Sequence, residues 1–267
     1  MSLPLAALIV FGAAALSGLA FLLLDRAAAK ALVPEAARGG PPLIVSGALF
    51  AVVLAFVTLA AFQTYNSAKA GAQSEAAALI DMARTAALFP PGQRDRLRAD
   101  FICYGRAVVY QEWPAMRNGH ASPLVEHWIG AYRAEFGRLD LRSPREQLSF
   151  QDLLNLANVR LAGRQQRVSQ ATPSVPTPLW LALLLGGCIV VALQLSLAGS
   201  HVRIHALLLA GLAGLIAAGL LIIYILDHPY QSHTGGIRPG AMSRALVIMG
   251  DLEPGLRPGC RESGQPG

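Results

Sequence analysis

The sequence contains four stretches without a single Asp, Glu, Lys or Arg: residues 1–24, 39–68, 168–202 and 204–226. Each is at least 23 residues long, and about 20 apolar residues in a helix suffice to cross a bilayer. Charged residues make up only 14% of the chain, against roughly 25% in a soluble domain. This pattern excludes a single soluble globule, a disordered chain and a secreted disulfide scaffold. Aromatics are scarce, at 7%, and apolar and polar residues do not alternate, which argues against an outer-membrane barrel. The sequence predicts an all-α membrane protein with four transmembrane helices, arranged two plus two around a helical insert.

The first span runs from Leu3 to Leu24. It lacks an N-terminal Lys or Arg, and its apolar core exceeds the roughly 7–15 residues of a signal peptide. It is therefore read as a retained helix. The second, Leu43 to Phe62, follows Gly39-Gly40-Pro41-Pro42, and prolines are tolerated in the first turn of a helix. The third runs from Trp180 to Leu197, after Pro173, Pro176 and Pro178. The fourth, Ile204 to Leu226, stops at Asp227-His228-Pro229. The resulting segments are 1–62 (spans one and two), 63–177 (insert), 178–226 (spans three and four) and 227–267 (tail). The Gly/Pro-rich tail reads as disordered from about residue 251.

The insert holds 14 of the 22 Lys+Arg and 10 of the 16 Asp+Glu. Its apolar residues recur at helical spacing. Ala76, Leu79, Ile80, Ala83 and Ala87 form one stripe, ended by Pro90-Pro91. A second runs from Leu97 through Phe101, Ile102 and Val108 and ends at Pro114. A third carries Leu124, Trp128, Ile129, Tyr132 and Phe136, and a fourth Leu148, Leu154, Ala157 and Leu161, so the insert reads as a helical bundle continuous with the ends of spans two and three. With four spans, the N-terminus, insert and tail share one side. That side carries 14 Lys+Arg in the insert and four in the tail, against three in the first loop and one, Arg203, in the last. The positive-inside bias then places the insert and both termini in the cytoplasm, although residues close to the membrane leave a near tie. The arginine-rich, Ala/Gly/Pro-rich composition suggests a GC-rich bacterial genome, and with the helical spans the expected location is a bacterial inner (plasma) membrane. The net charge of +6 is read as this bias plus attraction to anionic lipid. No nucleic-acid-binding motif is present.

Chemistry is sparsely signalled. GxSxG, HExxH, P-loop and GxGxxG motifs are absent, and the reading is a non-enzyme with no cofactor. His201 and His205 sit four apart and read as a solvated interfacial pair, as do His228 and His233 around their Pro-Tyr turn. In that turn Pro229 stops span four, and Asp227 reads as a cap for the next segment or a partner for an arginine of the insert. Cys103, Cys188 and Cys260 are isolated and odd in number, and are read as buried or incidental thiols with no metal site. The absence of charge within the spans argues against proton-coupled transport but not against a passive pore, where an apolar constriction gates by dewetting. Val52, Phe56, Leu59 and Gln63 fall at i, i+4, i+7 and i+11 along one face of span two. In an oligomer this face would make an apolar neck with a polar ring at its end; an ordinary packing surface shows the same stripe.

Several motifs carry a resemblance. Tyr65-Asn66 is followed by Ser74-Glu75-Ala76, then by Leu97-Arg98, Tyr104, Val108-Val109 and Glu112-Trp113-Pro114. After span four come Asp227-His228-Pro229-Tyr230, Gly235-Gly236, Pro239 and Arg244-Ala245-Leu246. In this order the segments resemble the bestrophin-like family of bacterial membrane proteins over most of residues 40–250, with Tyr230 where the family usually has Phe. The resemblance implies the fold of bestrophins, pentameric anion channels with four spans and a large helical cytosolic part, whose second span lines the pore with a three-residue apolar neck. Here that neck falls on Phe56, Val52 and Ala48, the last making a wider ring. No match to the calcium-binding acidic cluster of animal bestrophins is present. The expectation is a passive anion channel, homo-oligomeric and pentameric, with small anions and the lipid bilayer as its partners. The alternative is a non-conducting membrane scaffold or sensor whose insert binds a partner. An enzyme would need Glu75, Glu112, Asp227 and His228 gathered in one cavity.

Overall fold

The computed structural model describes residues 3–28, 40–195, 202–231 and 235–267. Among these, nine α-helices account for most of the chain and no strand is formed; two residues make one isolated bridge, Cys260 with Pro266. Four helices are long and apolar enough to cross a membrane. They are α1 (Leu3–Ala28), α2 (Gly40–Thr85), α7 (Thr177–Leu195) and α8 (Val202–Asp227). The expected end of the third span, and His201 and His233, lie outside the described residues.

The second span and the first stripe of the insert are one helix. α2 has 46 residues, about 69 Å at 1.5 Å per residue. Nothing between Pro42 and Pro90 interrupts it, because the only helix-weakening residues there are Gly47 and Gly71. It contributes to both compact units of the chain. The membrane unit comprises Met1–Thr64, Pro173–Asp227 and Ser232–Gly235; the helical unit comprises Tyr65–Thr172, His228–Gln231 and Gly236–Gly267.

In the membrane unit small residues let the helices approach. At Gly18 of α1, a Cβ would lie 3.5 Å from both the Ala206 carbonyl and Ala210 of α8. Nearby, Phe21 stacks at 4.8 Å on His205, whose Nε2 lies 3.0 Å from the Gln194 carbonyl. His205 is thus a helix-packing residue. Along α2, Phe50, Leu54, Val57 and Ala61 face α7 and α8. Phe50 fills the space over Gly186, where a Cβ would come within 2.8 Å of its ring.

The helical unit is built from α2's second half, a 3-10 turn at Ala86–Leu88, α3 (Pro91–Ala107), a π turn at Val108–Glu112, α4 (Trp113–Met116), α5 (Pro123–Gly137), α6 (Pro144–Val168) and α9 (Gly240–Leu252). α6 opens with a capping box. Ser143 Oγ accepts from the Glu146 amide (3.2 Å), and Glu146 Oε2 accepts from that of Ser143 (2.9 Å). The core is aromatic. Phe101 meets Tyr132 edge-on at 5.6 Å, and Phe136 in turn meets Phe150 at 6.2 Å.

Two expectations about the tail and cysteines are overturned. α9 runs to Leu252, and the segment after it packs back on α3 through a disulfide between Cys103 and Cys260. Around that bond, Arg106 Nη1 donates to the Cys260 carbonyl (3.1 Å), Gln111 Nε2 to that of Ser263 (3.2 Å) and Trp128 Nε1 to that of Gly264 (2.7 Å). Gly264 has φ +82°, and a Cβ there would strike the Ala107 amide at 2.5 Å, so only glycine fits. Composition points to disorder because it registers neither a covalent staple nor a positive-φ turn. Cys188, in contrast, is unbonded and exposed on α7.

One titratable group of this unit gives a clear expectation. Burial, reinforced by the Glu135 charge and opposed by Arg138, pushes Asp100 on α3 up to about 6. A folded value above the unfolded one means that Asp100 contributes stability at low pH, and that this is lost as pH rises from the ordinary carboxylate range through about 6. Asp100→Asn is expected to stabilise the protein at pH 7 by about 1 kcal/mol, after allowance for solvent screening. Thermal unfolding in detergent, scanned from pH 4 to 7, checks this: an unchanged slope in the variant contradicts it.

Candidate functional site

Two features stand out, one in each unit. The first is the outward face of α2. Val52, Phe56 and Leu59 are 53%, 68% and 52% exposed, and Gln63 and Ala48 are also exposed. Each of the four stripe residues follows a packed residue by two positions, from Phe50/Val52 to Ala61/Gln63. Two residues turn a helix by about 200°, so the stripe lies opposite the face that packs on α7 and α8. Its side chains are uncharged throughout.

The second feature is a buried ionic cluster in the helical unit, and helix geometry explains its assembly. α2 and α6 cross at Gly71 and Gly163, where each glycine's missing Cβ would meet the other helix's backbone. A Cβ on Gly71 would come 2.7 Å from the Gly163 carbonyl, and one on Gly163 would come 2.7 Å from the Glu75 amide. One turn beyond the crossing on each helix stand Glu75 and Arg167. They pair bidentately: Arg167 Nε donates to Glu75 Oε2 (2.5 Å) and Nη2 to Oε1 (3.0 Å). The same Nη2 also donates to Glu112 Oε2 at 2.6 Å. All three side chains are essentially inaccessible to solvent.

The π turn brings Glu112 into place. The Trp113 amide bonds to the Val108 carbonyl, five residues back, and this wider turn leaves both Glu112 and Trp113 buried. It also carries the helix past Pro114, the expected end of the second stripe; Pro114 itself is exposed in the first turn of α4. Glu112 receives Arg164 Nη2 (2.6 Å), and Arg164 Nη1 reaches Glu126 (2.6 Å) at the solvent edge. Burial pulls the Glu112 carboxyl upward, but Arg167 and Arg164 outweigh it and hold the group below its usual value. Its contribution to stability is therefore present above the ordinary carboxylate range and lost as pH falls from that range through the lowered folded value.

Tyr104 donates its hydroxyl to Glu75 Oε1 and accepts from Arg160 Nη1 (3.0 Å). Burial, with the neighbouring Glu75 charge, keeps this phenol protonated. Arg160 spreads its charge over the rings of Tyr104 and Tyr132, at 5.0 and 5.5 Å. Arg167 lies 5.1 Å over Trp113. Tyr230 meets Trp113 edge-on at 5.7 Å and donates to the Arg167 carbonyl (2.8 Å). Trp113 Nε1 donates to the Ile237 carbonyl (3.1 Å).

Of the residues singled out in the sequence, Glu75, Tyr104, Glu112, Trp113 and Tyr230 therefore meet in one cluster. Pro229 is buried beside it, its carbonyl receiving the Ile237 amide (2.7 Å). Asp227 belongs to the membrane unit. Its Oδ1 accepts from the amides of Ser174 (2.7 Å) and Val175 (2.9 Å) and from Ser174 Oγ (3.0 Å). It thus ties the end of α8 to the turn before α7, rather than capping the next segment or pairing with an arginine. Sequence reasoning missed the cluster's cations. Arg160, Arg164 and Arg167 recur at i, i+4 and i+7, which is a helix-face signal. Three arginines here face three carboxylates, one of them at the edge, so the cluster is charge-balanced. It joins α2, α3, the π turn, α4, α5 and α6, and links them through Tyr230 to the segment after α8. Among the described residues no group of three His, Cys, Asp or Glu could hold a metal ion.

Comparison with known proteins agrees with this architecture. A bacterial bestrophin homolog from Klebsiella pneumoniae has a similar solved structure, with a TM-score of 0.69 at 13% identity, covering 98% of each chain. A mutant of that homolog gives a TM-score of 0.70 at 12% identity, covering 93% of this chain and 97% of the other. No curated protein matches the sequence. The family model described as a bestrophin-like domain matches residues 9–234, and the chain belongs to the bestrophin-like family.

Proposed function

We propose that this protein is a passive anion channel of the host's inner (plasma) membrane, a homo-oligomer, pentameric by the family resemblance, with α2 lining the axis. The observation that carries the proposal is the uncharged face of Val52, Phe56, Leu59 and Gln63, left uncovered on the side of α2 opposite its packing face. Around a closed ring this face makes an apolar neck that excludes water when narrow. Anions are favoured because no carboxylate lies on the face, and because exposed arginines such as Arg117, Arg133 and Arg145 raise the local anion concentration. Permeation is electrodiffusive and involves no covalent step. The similarity to bacterial bestrophin homologs supports the same reading.

The test is chloride efflux from liposomes containing the purified oligomer. Phe56→Ala is expected to raise efflux roughly tenfold, the effect of about 1.4 kcal/mol off a permeation barrier. Well-folded oligomer that leaves vesicles chloride-tight, with Phe56→Ala equally silent, defeats the proposal. It would favour a scaffold in which α2 faces lipid.

A further inference from the structure

We propose that the helical unit and the tail face the oxidising, exoplasmic side of the membrane, with the Cys103–Cys260 bond clamping the tail onto α3. The two short loops between spans then face the cytoplasm. This reverses the sidedness that total charge and the resemblance to bestrophins suggest, and it holds whether or not the protein conducts.

The first observation is the bond itself. Cys103 and Cys260 are both buried, and they close a loop across 157 residues of sequence. Such a cross-link removes a great deal of freedom from the unfolded chain. The tail depends on it. The hydrogen bonds from Arg106, Gln111 and Trp128 all end on tail carbonyls, and segment 253–267 contains only one large aliphatic side chain, Leu256. Cytosolic thiol systems keep such pairs reduced, whereas exoplasmic compartments keep them closed. Closing the bond removes two protons and two electrons from the two thiols. An exoplasmic disulfide oxidant of the thioredoxin-like class accepts them through a mixed disulfide and leaves as a dithiol.

The second observation is charge close to the membrane, which sets orientation more reliably than charge in long domains. The fifteen residues 25–39 before α2 hold Arg26, Lys30 and Arg38, while the fifteen after Phe62 hold only Lys69. α8 carries Arg203 in its first turn and is followed by no Lys or Arg until Arg238. Both comparisons put the short loops inside. The flank of α7 that argues the other way consists of Arg164 and Arg167, and both lie buried against Glu112.

The experiment uses the full chain in its host membrane. Alkaline phosphatase, active only when exported, is fused after Gly267, and a parallel fusion carries a fluorescent protein that matures only in the cytoplasm. In a Cys188→Ser background, thiols are counted by maleimide-polyethylene glycol after rapid denaturation. The expected result is an active phosphatase, a dark fluorescent fusion, no adduct without reductant and two adducts after reduction. The double variant Cys103→Ser/Cys260→Ser is expected to leave the phosphatase result unchanged, which separates sidedness from the stability of the clamp. An inactive phosphatase with a bright fluorescent fusion overturns the proposal. So do two adducts without reductant, whichever side the tail occupies.

Discussion

Arg167→Ala is expected to lower the unfolding midpoint of the protein in detergent by roughly 10 °C or more. The loss comes from the charges that the substitution strands. Arg167 is fully buried and divides its guanidinium between Glu75 and Glu112, both also buried. Removing it leaves Glu75 without a cation and halves the neutralisation of Glu112. Breaking a buried pair in this way costs about 3–5 kcal/mol, because the remaining charge stays desolvated. A shift of roughly 2–4 °C per kcal/mol is usual for a protein of this size. Arg167→Lys should recover only part of the loss, since a single ammonium cannot make the planar, bidentate contact with Glu75 while also reaching Glu112. Trp113 supplies the readout, because the guanidinium lies over its ring. Its fluorescence should report unfolding of the cluster directly. A midpoint within about 2 °C of the parent for Arg167→Ala would show that the cluster is better solvated than its burial indicates.

Much of the membrane unit was legible because the property that makes a span, the absence of charge over 20 or more residues, is written in the residues themselves. The helical unit was harder to read. Its stripes predicted helices continuous with the ends of spans two and three; the first does continue span two, with no proline and no run of glycines between Phe62 and Ala76, but α6 ends at Val168 and α7 begins only at Thr177. Glu75, Tyr104, Glu112, Trp113 and Tyr230 were singled out through family resemblance. Their arginine partners were not, because an arginine in a charged insert looks like a solvated one. The distinguishing signal is Gly163, which sits beside Arg164 within the Arg160–Arg167 face. A glycine in mid-helix among arginines marks a close backbone approach, and a close approach buries what stands next to it. Pro114 misled because proline normally stops a helix; the π turn before it widens the ladder and lets the chain continue. The pairing of Cys103 with Cys260 had no local signature, because 157 residues separate them.

The close approach at Gly163 makes Gly163→Ala the second large effect. A Cβ at that position would lie 2.7 Å from the Glu75 amide, 2.9 Å from the Gly71 carbonyl and 3.1 Å from the Glu75 Cα. All three are backbone atoms, so no rotamer change relieves the contact; α2 and α6 must move apart. Overpacking of this kind costs typically 1–3 kcal/mol, and the backbone partners place this case at about 3 kcal/mol. The loss should not be confined to sterics. Glu75 and Arg167 stand one turn from the crossing, so separating the helices lengthens their bidentate bond as well. Gly163→Ala and Arg167→Ala should therefore be strongly non-additive in a double-mutant cycle. Much of the ion pair's contribution is already lost when the alanine is present, giving a coupling of about 1–2 kcal/mol. Gly137→Ala, at the end of α5 where a Cβ meets nothing within 4 Å, serves as the control and should leave the midpoint nearly unchanged. If Gly163→Ala behaves like that control, α2 and α6 do not cross this closely. If the two losses simply add, the glycine contact and the ion pair are independent rather than parts of one crossing.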